Sequence, residues 1–591
     1  MKSWLAVAVL VALAVAGCAN RAETDSSEAP TTAAPFETFE FDAADPAGLP
    51  APVLLCFEGA FATDVAAALA GGPGATSRCN LEMTPDSERQ GNEVTIAVNP
   101  TNPRNIVGGA KDYFPTDAGE CVWDGVYVTH DGGRTYYEDR SFDGSPWRLL
   151  KDPNTYQPNY ASQFWCTTDP VAYFDVNGNL YYVLMAYQAD RVTGSKTGED
   201  VGKDCPAAPL EPACEAWPGA LNDWAFNRAV QIVAISDNGG DSFHTFTPVL
   251  EGSFPVDFHD KAWLAASADG TIHIMWLASL LPGNMYCRST DGGATFLCDE
   301  ILGTIVPIPG VTPSSGQGSF LEVGTGPDVY ATWDSGGVMF RHSSDTGATW
   351  GPGRIIQGIN DGTMPGLESR DRRGGFPALG SDRNPDSPFA DSLYVTWQDG
   401  CQADTWSEGC SSNGSAQWAI ASHDKGETWS TPVRLSFASD NEWNIFPTVS
   451  VSPGGVVDAS WMSTHGTRSL PCSAEATPDC ADNYGTEYPT LTQHYAYSLD
   501  GGATWSEPFV VRDAIDGGWD PSLCHHQNGM VFIGDYNDID SSWQAAHPVW
   551  PDTRLGTCDV FTASIQRPLF ADGWSTEGRE AGLAFVRDHP L

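Results

Sequence analysis

The sequence predicts an all-β chain wound into a β-propeller of four-stranded blades, with seven blades favoured over six. Three observations predict it. A short turn-forming pattern recurs six times, and each copy sits inside a longer unit of four strand-like runs. The chain is also rich in Gly (61) and Pro (42) without a three-residue period, a composition that suits many tight turns and excludes collagen. With 591 residues, 41% hydrophobic and 11% aromatic, it has ample apolar content for a large core, which excludes wholesale disorder.

The six copies are Thr129-His-Asp131-Gly-Gly133-Arg-Thr135-Tyr136, Ser236-Asp-Asn238-Gly-Gly240-Asp-Ser242-Phe243, Ser289-Thr-Asp291-Gly-Gly293-Ala-Thr295-Phe296, Ser343-Ser-Asp345-Thr-Gly347-Ala-Thr349-Trp350, Ser422-His-Asp424-Lys-Gly426-Glu-Thr428-Trp429 and Ser498-Leu-Asp500-Gly-Gly502-Ala-Thr504-Trp505. Asp and Gly build a tight turn, the hydroxyls and the carboxylate bond the turn's own backbone, and the aromatic residue plugs the sheet beneath. These are structural residues. The pattern resembles the Asp-box (BNR repeat) of bacterial sialidase-like propellers. Six copies make it a strong indication of fold and a weak one of catalysis.

Each unit holds strands A to D, with the repeated turn joining C to D. Strand A starts near Glu93, Asp169, Asp260, Phe320, Phe376, Phe446 and Val531, which gives seven units. The seventh has A at Val531 to Tyr536, B at Ala546 to Trp550 and C at Asp559 to Ile565, but no repeated turn and no strand D. Phe36 to Phe41, alternating Phe-Glu-Thr-Phe-Glu-Phe, is expected to supply that strand and close the ring, since a propeller with an open edge invites foreign pairing. The expected divisions are residues 1–17 (export signal), 18–35 (tether), 36–91 (closing strand and cap), 92–567 (propeller) and 568–591 (tail).

Because strand direction alternates, A-to-B turns and C-to-D turns share one end of the propeller. Those connections are short, as in Val176-Asn-Gly-Asn179 and Ser452-Pro-Gly-Gly455. The long ones, including residues 188–227, 400–417 and 463–493, are B-to-C or D-to-A and share the other end. Long loops on a rigid scaffold are where binding usually resides, so the functional face is expected there.

Lys2 precedes a thirteen-residue apolar run, Trp4 to Ala16, too short to span a bilayer and of the length of a secretory signal. Val15-Ala16-Gly17-Cys18 resembles a bacterial lipobox, which implies lipid attachment at Cys18 and an exported, cell-envelope lipoprotein held to the membrane by that anchor alone. Fourteen of the fifteen cysteines remain after Cys18, an even number suited to an oxidising compartment. Local spacing suggests Cys205/Cys214, Cys287/Cys298, Cys401/Cys410 and Cys472/Cys480, with Cys56/Cys79, Cys121/Cys166 and Cys524/Cys558 as further pairs. Acidic residues number 76 against 30 basic ones, a formal net charge of −46, which excludes nucleic acid as a partner.

On the loop face stand the carboxylates that open strand A (Glu93, Asp169, Asp260) and those that close strand B (Asp112, Asp334, Asp399, Asp552). The loop arginines include Arg228, Arg372, Arg373 and Arg554. The resemblance implies glycan hydrolysis, in which an Arg cluster grips a sugar carboxylate, a carboxyl group moves the proton and a Tyr attacks. The Phe-Arg-Ile-Pro segment that supplies the first sialidase arginine is absent. Segments Asn92-Glu93-Val-Thr-Ile-Ala-Val-Asn99, His259-Asp260-Lys261-Ala-Trp263, Gly534-Asp535-Tyr536 and His547-Pro-Val-Trp550-Pro-Asp552-Thr-Arg554 share the resemblance. The candidate catalytic residues are Asp260, Asp535, Tyr536, Asp552, Arg372, Arg373 and Arg554. Glu93 and Asp169 are candidate calcium ligands through hard carboxylate oxygens, and no cofactor is required. The competing expectation is a non-catalytic propeller that binds an envelope polysaccharide or protein. Trp276, Trp333, Trp397, Trp461 and Trp550 all end strand B, and packing between blades is favoured over sugar stacking for them.

Overall fold

The computed structural model describes residues 49–55, 57–58, 77–84, 90–116, 119–137, 166–191, 224–252, 259–278, 283–302, 316, 318–359, 376–400, 414–437, 442–464, 469–471, 487–511, 519–527 and 530–590. The expected export signal, Cys18, the tether and Phe36 to Phe41 lie outside these residues. The described chain forms seven antiparallel blades in a propeller ring. Strand A of blades 1 to 7 is Gln90–Val98, Cys166–Phe174, His259–Ala266, Phe320–Val323, Ala378–Ser381, Asn444–Val451 and Asp538–Ser541. Blades 2 to 6 follow the order A-B-C-D. In blade 1 the described part of strand D is a single bridge, Val128 to Tyr137. Residues from all seven A strands, among them Ile96, Ala172, Trp263, Phe320, Leu379, Val449 and Ile539, line a central channel.

The repeated turns explain why the blades recur. In five of them the Ser or Thr hydroxyl donates to the Asp two residues on at 2.7 to 2.9 Å. The Thr four residues after that Asp donates its hydroxyl to the other carboxylate oxygen at 2.6 Å in every case. Asn238 replaces the Asp in the sixth, and its amide donates to Ser242 Oγ instead. The Gly two residues after each Asp, or after Asn238, has φ between 71° and 95°, a region closed to most side chains. These bonds hold the carboxyl groups of Asp291 and Asp424 down at about 2, the Thr hydroxyl acting most strongly. A depressed acid stabilises the fold above its unfolded value near about 4 and loses that contribution as pH falls toward about 2. Asp424→Ala is therefore expected to cost about 1 kcal/mol at neutral pH. Its difference from wild type should shrink in urea titrations repeated below the acid midpoint.

Ring closure departs from expectation in two places. Strand A of blade 7 is Asp538–Ser541 rather than Val531 to Tyr536. The reason is Gly534, whose φ of 93° breaks an extended run, so the segment before the strand bends across the start of blade 1 instead. The outer strand is Asn80–Glu82, pairing Leu81 with Thr562 on strand C (Asp559–Ala563), and not Phe36 to Phe41. Leu81 and Met83, 3% and 1% exposed, give that short strand its anchorage. The closure is completed by Val53–Leu54, which pairs with Ile565–Gln566.

A buried ion pair joins blade 6 to blade 7. Arg567 Nε and Nη2 donate to Asp458 Oδ1 and Oδ2 at 3.1 and 3.0 Å, and both side chains are fully buried. Tyr495 and Ser541 hydroxyls donate to the same carboxylate at 2.5 and 2.7 Å, and Arg567 also reaches the carbonyls of Ser542 and Trp543. Beyond it, the helix Thr576–Asp588 packs Phe585 near Trp543 and follows Trp574, whose indole donates to Gly454 O on a turn of blade 6. The five strand-B tryptophans are 0 to 3% exposed and wedge between blades, so their faces are unavailable to sugars.

Disulfides join Cys287 to Cys298 and Cys524 to Cys558, two of the expected pairs. Cys79 is also disulfide-bonded. Every other expected pair has at least one cysteine side chain outside the described residues. Such bonds persist in oxidising compartments. Among the described residues no helix is long and apolar enough to cross a membrane.

Candidate functional site

Four A strands carry a β-bulge near their start, between Asn92 and Thr95, Thr168 and Val171, His259 and Ala262, and Ile445 and Thr448. A bulge re-aims the side chain at the extra residue. In three of the four that residue takes a left-handed backbone, Glu93 at φ 51°, Asp169 at 58° and Phe446 at 56°. Each such conformation costs about 1–3 kcal/mol, and such strain clusters at functional sites. Asp260 occupies the matching position of blade 3. Repetition of one bulge thus brings three carboxyl groups to the loop-side mouth of the channel.

Glu93 is 3% exposed, and its Oε2 lies 3.1 Å from Lys111 Nζ. Lys111 stands on strand B of blade 1 opposite Asn92, with Asp124 opposite it on strand C. Asp169 is buried and accepts from Thr168 Oγ1 at 3.2 Å; burial first, then the nearby charge of Glu93, raises its carboxyl well above the ordinary range. Asp124, fully buried, is raised for the same first reason while Lys111 pulls it down. The arrangement sets the two carboxyl groups apart, with an ammonium beside Glu93 favouring its charge and burial favouring the proton on Asp169.

Tyr536 and Lys261 complete the mouth. Lys261 Nζ sits 2.8 Å from the centroid of the Tyr536 ring and 5.0 Å from that of Trp263. Burial, followed by the charges of Asp169, Glu93 and Asp124, pushes the Tyr536 phenol well up, so it stays protonated and serves as a donor. Asp538 accepts from Thr95 Oγ1 and Ile96 N, each at 3.0 Å, yet burial lifts it to about 7. Gly534 lets this segment approach: a Cβ there would lie 2.7 Å from Glu93 N.

Of the residues singled out from the sequence, the structure brings together Glu93, Asp169, Asp260 and Tyr536. Asp535 is half-buried beside Tyr536. Asp552 and Arg554 pair with each other, and their further partners, Trp550 and Asn80, belong to blade 7 itself. Arg372 and Arg373 lie outside the described residues. Among the described residues no group of three or more His, Cys, Asp or Glu side chains is arranged to hold a metal ion. Glu93 and Asp169 are met by Lys111 and by one another. Sequence reasoning gave no role to Lys111, Asp124, Lys261 or Asp538. The available signal was the rarity of lysine, seven in the chain, combined with apolar neighbours such as Ala110 and Trp263 in strand-like runs.

No family model and no curated protein matches this chain. Among solved structures it is similar to a protein of unknown function from Dyadobacter fermentans, with 11% identity over 83% of this chain and 98% of the other and a TM-score of 0.39. It is similar to the Hadza microbial sialidase Hz136, with 13% identity over 63% of each chain and a TM-score of 0.36. The GH93 α-L-arabinofuranosidase of Fusarium graminearum gives 10% identity over 83% of this chain and 97% of the other, with a TM-score of 0.36.

Proposed function

We propose that the loop-side mouth of the channel binds a glycan and hydrolyses a glycosidic bond, with Asp169 as general acid and Glu93 as its ionised partner. The observation that carries this reading is the neighbouring Glu93/Asp169 pair, in which the Lys111 ammonium 3.1 Å away favours the charge on Glu93 and burial favours the proton on Asp169. Two carboxyl groups whose environments push them apart in acidity are the minimum apparatus for glycoside cleavage. Asp169 would protonate the leaving oxygen, and Glu93 would stabilise or attack the cation-like sugar carbon. The Tyr536 hydroxyl and Lys261 amine, buried without hydrogen-bond partners among the described residues, supply donors for sugar hydroxyls.

Charge narrows the substrate. Glu93, Asp169, Asp260 and Asp538 face two lysines, a balance that favours a neutral sugar over an anionic one. The proposal places the protein in the cell envelope, exported and held there through Cys18. The test is release of aglycone from a panel of aryl glycosides that includes neutral hexosides, an α-L-arabinofuranoside and a sialoside. Cleavage of a neutral member is expected; silence across the whole panel would overturn the enzymatic reading in favour of a binding propeller.

A further inference from the structure

Arg383 stands at the other end of the channel from Glu93 and Asp169. It follows strand A of blade 5 (Ala378–Ser381) in the connection that leads to strand B, so it lies on the side of the repeated turns. Its Nη1 donates to the Tyr173 hydroxyl, near the end of strand A of blade 2, and its guanidinium carbon sits 4.9 Å from the centre of that ring. Among the described residues this is the only hydrogen bond of its side chain, and no carboxylate comes within ion-pair distance of it. The remaining N–H groups are not sealed away. Arg383, Glu322 and Asp540 are each half-buried, and all three line the channel cavity. We propose that this end of the channel binds a free α-amino acid with a small apolar side chain, its carboxylate on Arg383 and its ammonium on Glu322. The inference goes beyond glycoside cleavage and uses none of the groups assigned to it.

The charges at this end are near one another but not spent on one another. Asp540 accepts from Val98 N, Ser541 N and Ser450 Oγ at 2.7, 2.8 and 3.0 Å, which leaves it little to offer a ligand. Glu322 accepts from Ser381 Oγ at 3.1 Å through one oxygen, leaving the other available, and its charge acts on Arg383 from across the cavity. A bare anion would meet these two carboxylates and the field of a chain carrying −46, and a bare cation would meet Arg383. A sugar brings hydroxyls but no charge to match a guanidinium, whose planar fork suits a carboxylate. A zwitterion satisfies both ends and adds no net charge. Ala172, Leu379, Val449 and Ile539 line the same cavity and give the ligand's side chain an apolar wall. The turn that carries Arg383 is fixed in advance: Asp382 accepts from Asn384 N and from the Ser387 hydroxyl, and Asn384 donates to Pro453 O of blade 6 at 2.7 Å.

The test titrates L-valine into the full-length protein by isothermal titration calorimetry at neutral pH. A saturable isotherm with a Kd on the order of 0.1–1 mM is expected, the range open to so small a ligand. Isovalerate, which lacks the ammonium, and isobutylamine, which lacks the carboxylate, should each bind at least about tenfold more weakly, the worth of one charge-assisted contact. Arg383→Gln and Glu322→Gln, checked for an unchanged unfolding midpoint, should weaken L-valine to a similar degree. Arg383→Lys keeps the charge without the fork and should weaken binding as well, which preserves the test if the glutamine variant does not fold. Absence of heat at millimolar L-valine, equal affinity for isovalerate, saturable binding of D-glucose in place of L-valine, or L-valine binding untouched by the Arg383 substitutions would each overturn the assignment. Because the groups concerned lie at the opposite end from Glu93 and Asp169, either result leaves the glycosidase reading to its own panel.

Discussion

Asp458→Ala is expected to destabilise the protein by about 3–5 kcal/mol, the cost of stranding a buried charge. The Arg567 guanidinium would keep its two carbonyl partners but lose both bonds to the carboxylate, with no route to water at 0% exposure. Tyr495 and Ser541 would lose their acceptor as well, so the joint between blades 6 and 7 fails from both sides. The measurement is the urea midpoint at neutral pH. A double substitution, Asp458→Leu with Arg567→Met, removes both charges together and should recover most of the loss, since an apolar replacement leaves nothing unpaired. A single-mutant loss well under 1 kcal/mol would mean that the pair is hydrated in solution.

Asp169→Asn is expected to lower kcat/KM by about 10²–10⁴ on glycosides with basic leaving groups, the usual worth of a positioned proton donor. Asn keeps the shape of Asp and accepts the left-handed backbone at this position. It cannot give up a proton. The loss should shrink as the leaving group becomes more acidic, because an aglycone that departs as an anion needs no protonation. A merely structural role for Asp169 would depress all substrates alike. The variant should unfold no earlier than wild type: burial raises the pKa of Asp169, so its charged form opposes folding and its removal does not. Wild-type activity should fall on the alkaline side as Asp169 loses its proton.

Legibility in the sequence followed the range of the interactions. The six repeated turns were readable because the side-chain bonds that define them span two to four residues, from the Ser hydroxyl to the Thr that follows the Asp. The carboxyl groups at Glu93, Asp169 and Asp260 were readable for a related reason, since one bulge recurs at the same register in successive units. The closing strand was not, because Asn80–Glu82 is three residues long and its partner on Asp559–Ala563 lies almost the whole chain away. The lysines were obscured by the same distance. Lys261 is surrounded by groups from blades 1, 2 and 7, and no local pattern announces that a charged residue will be enclosed by three separate repeats.

The pairing of Asn80–Glu82 with Asp559–Ala563 also governs how the molecule comes into being. A strand made among the first must wait for a partner made among the last, so the nascent polypeptide carries an unfinished rim through nearly all of its synthesis. Any product cut short before residue 559 would present two raw sheet borders, each a template for a neighbour in the same condition. Truncated copies are therefore expected to polymerise end to end, while the complete copy remains discrete.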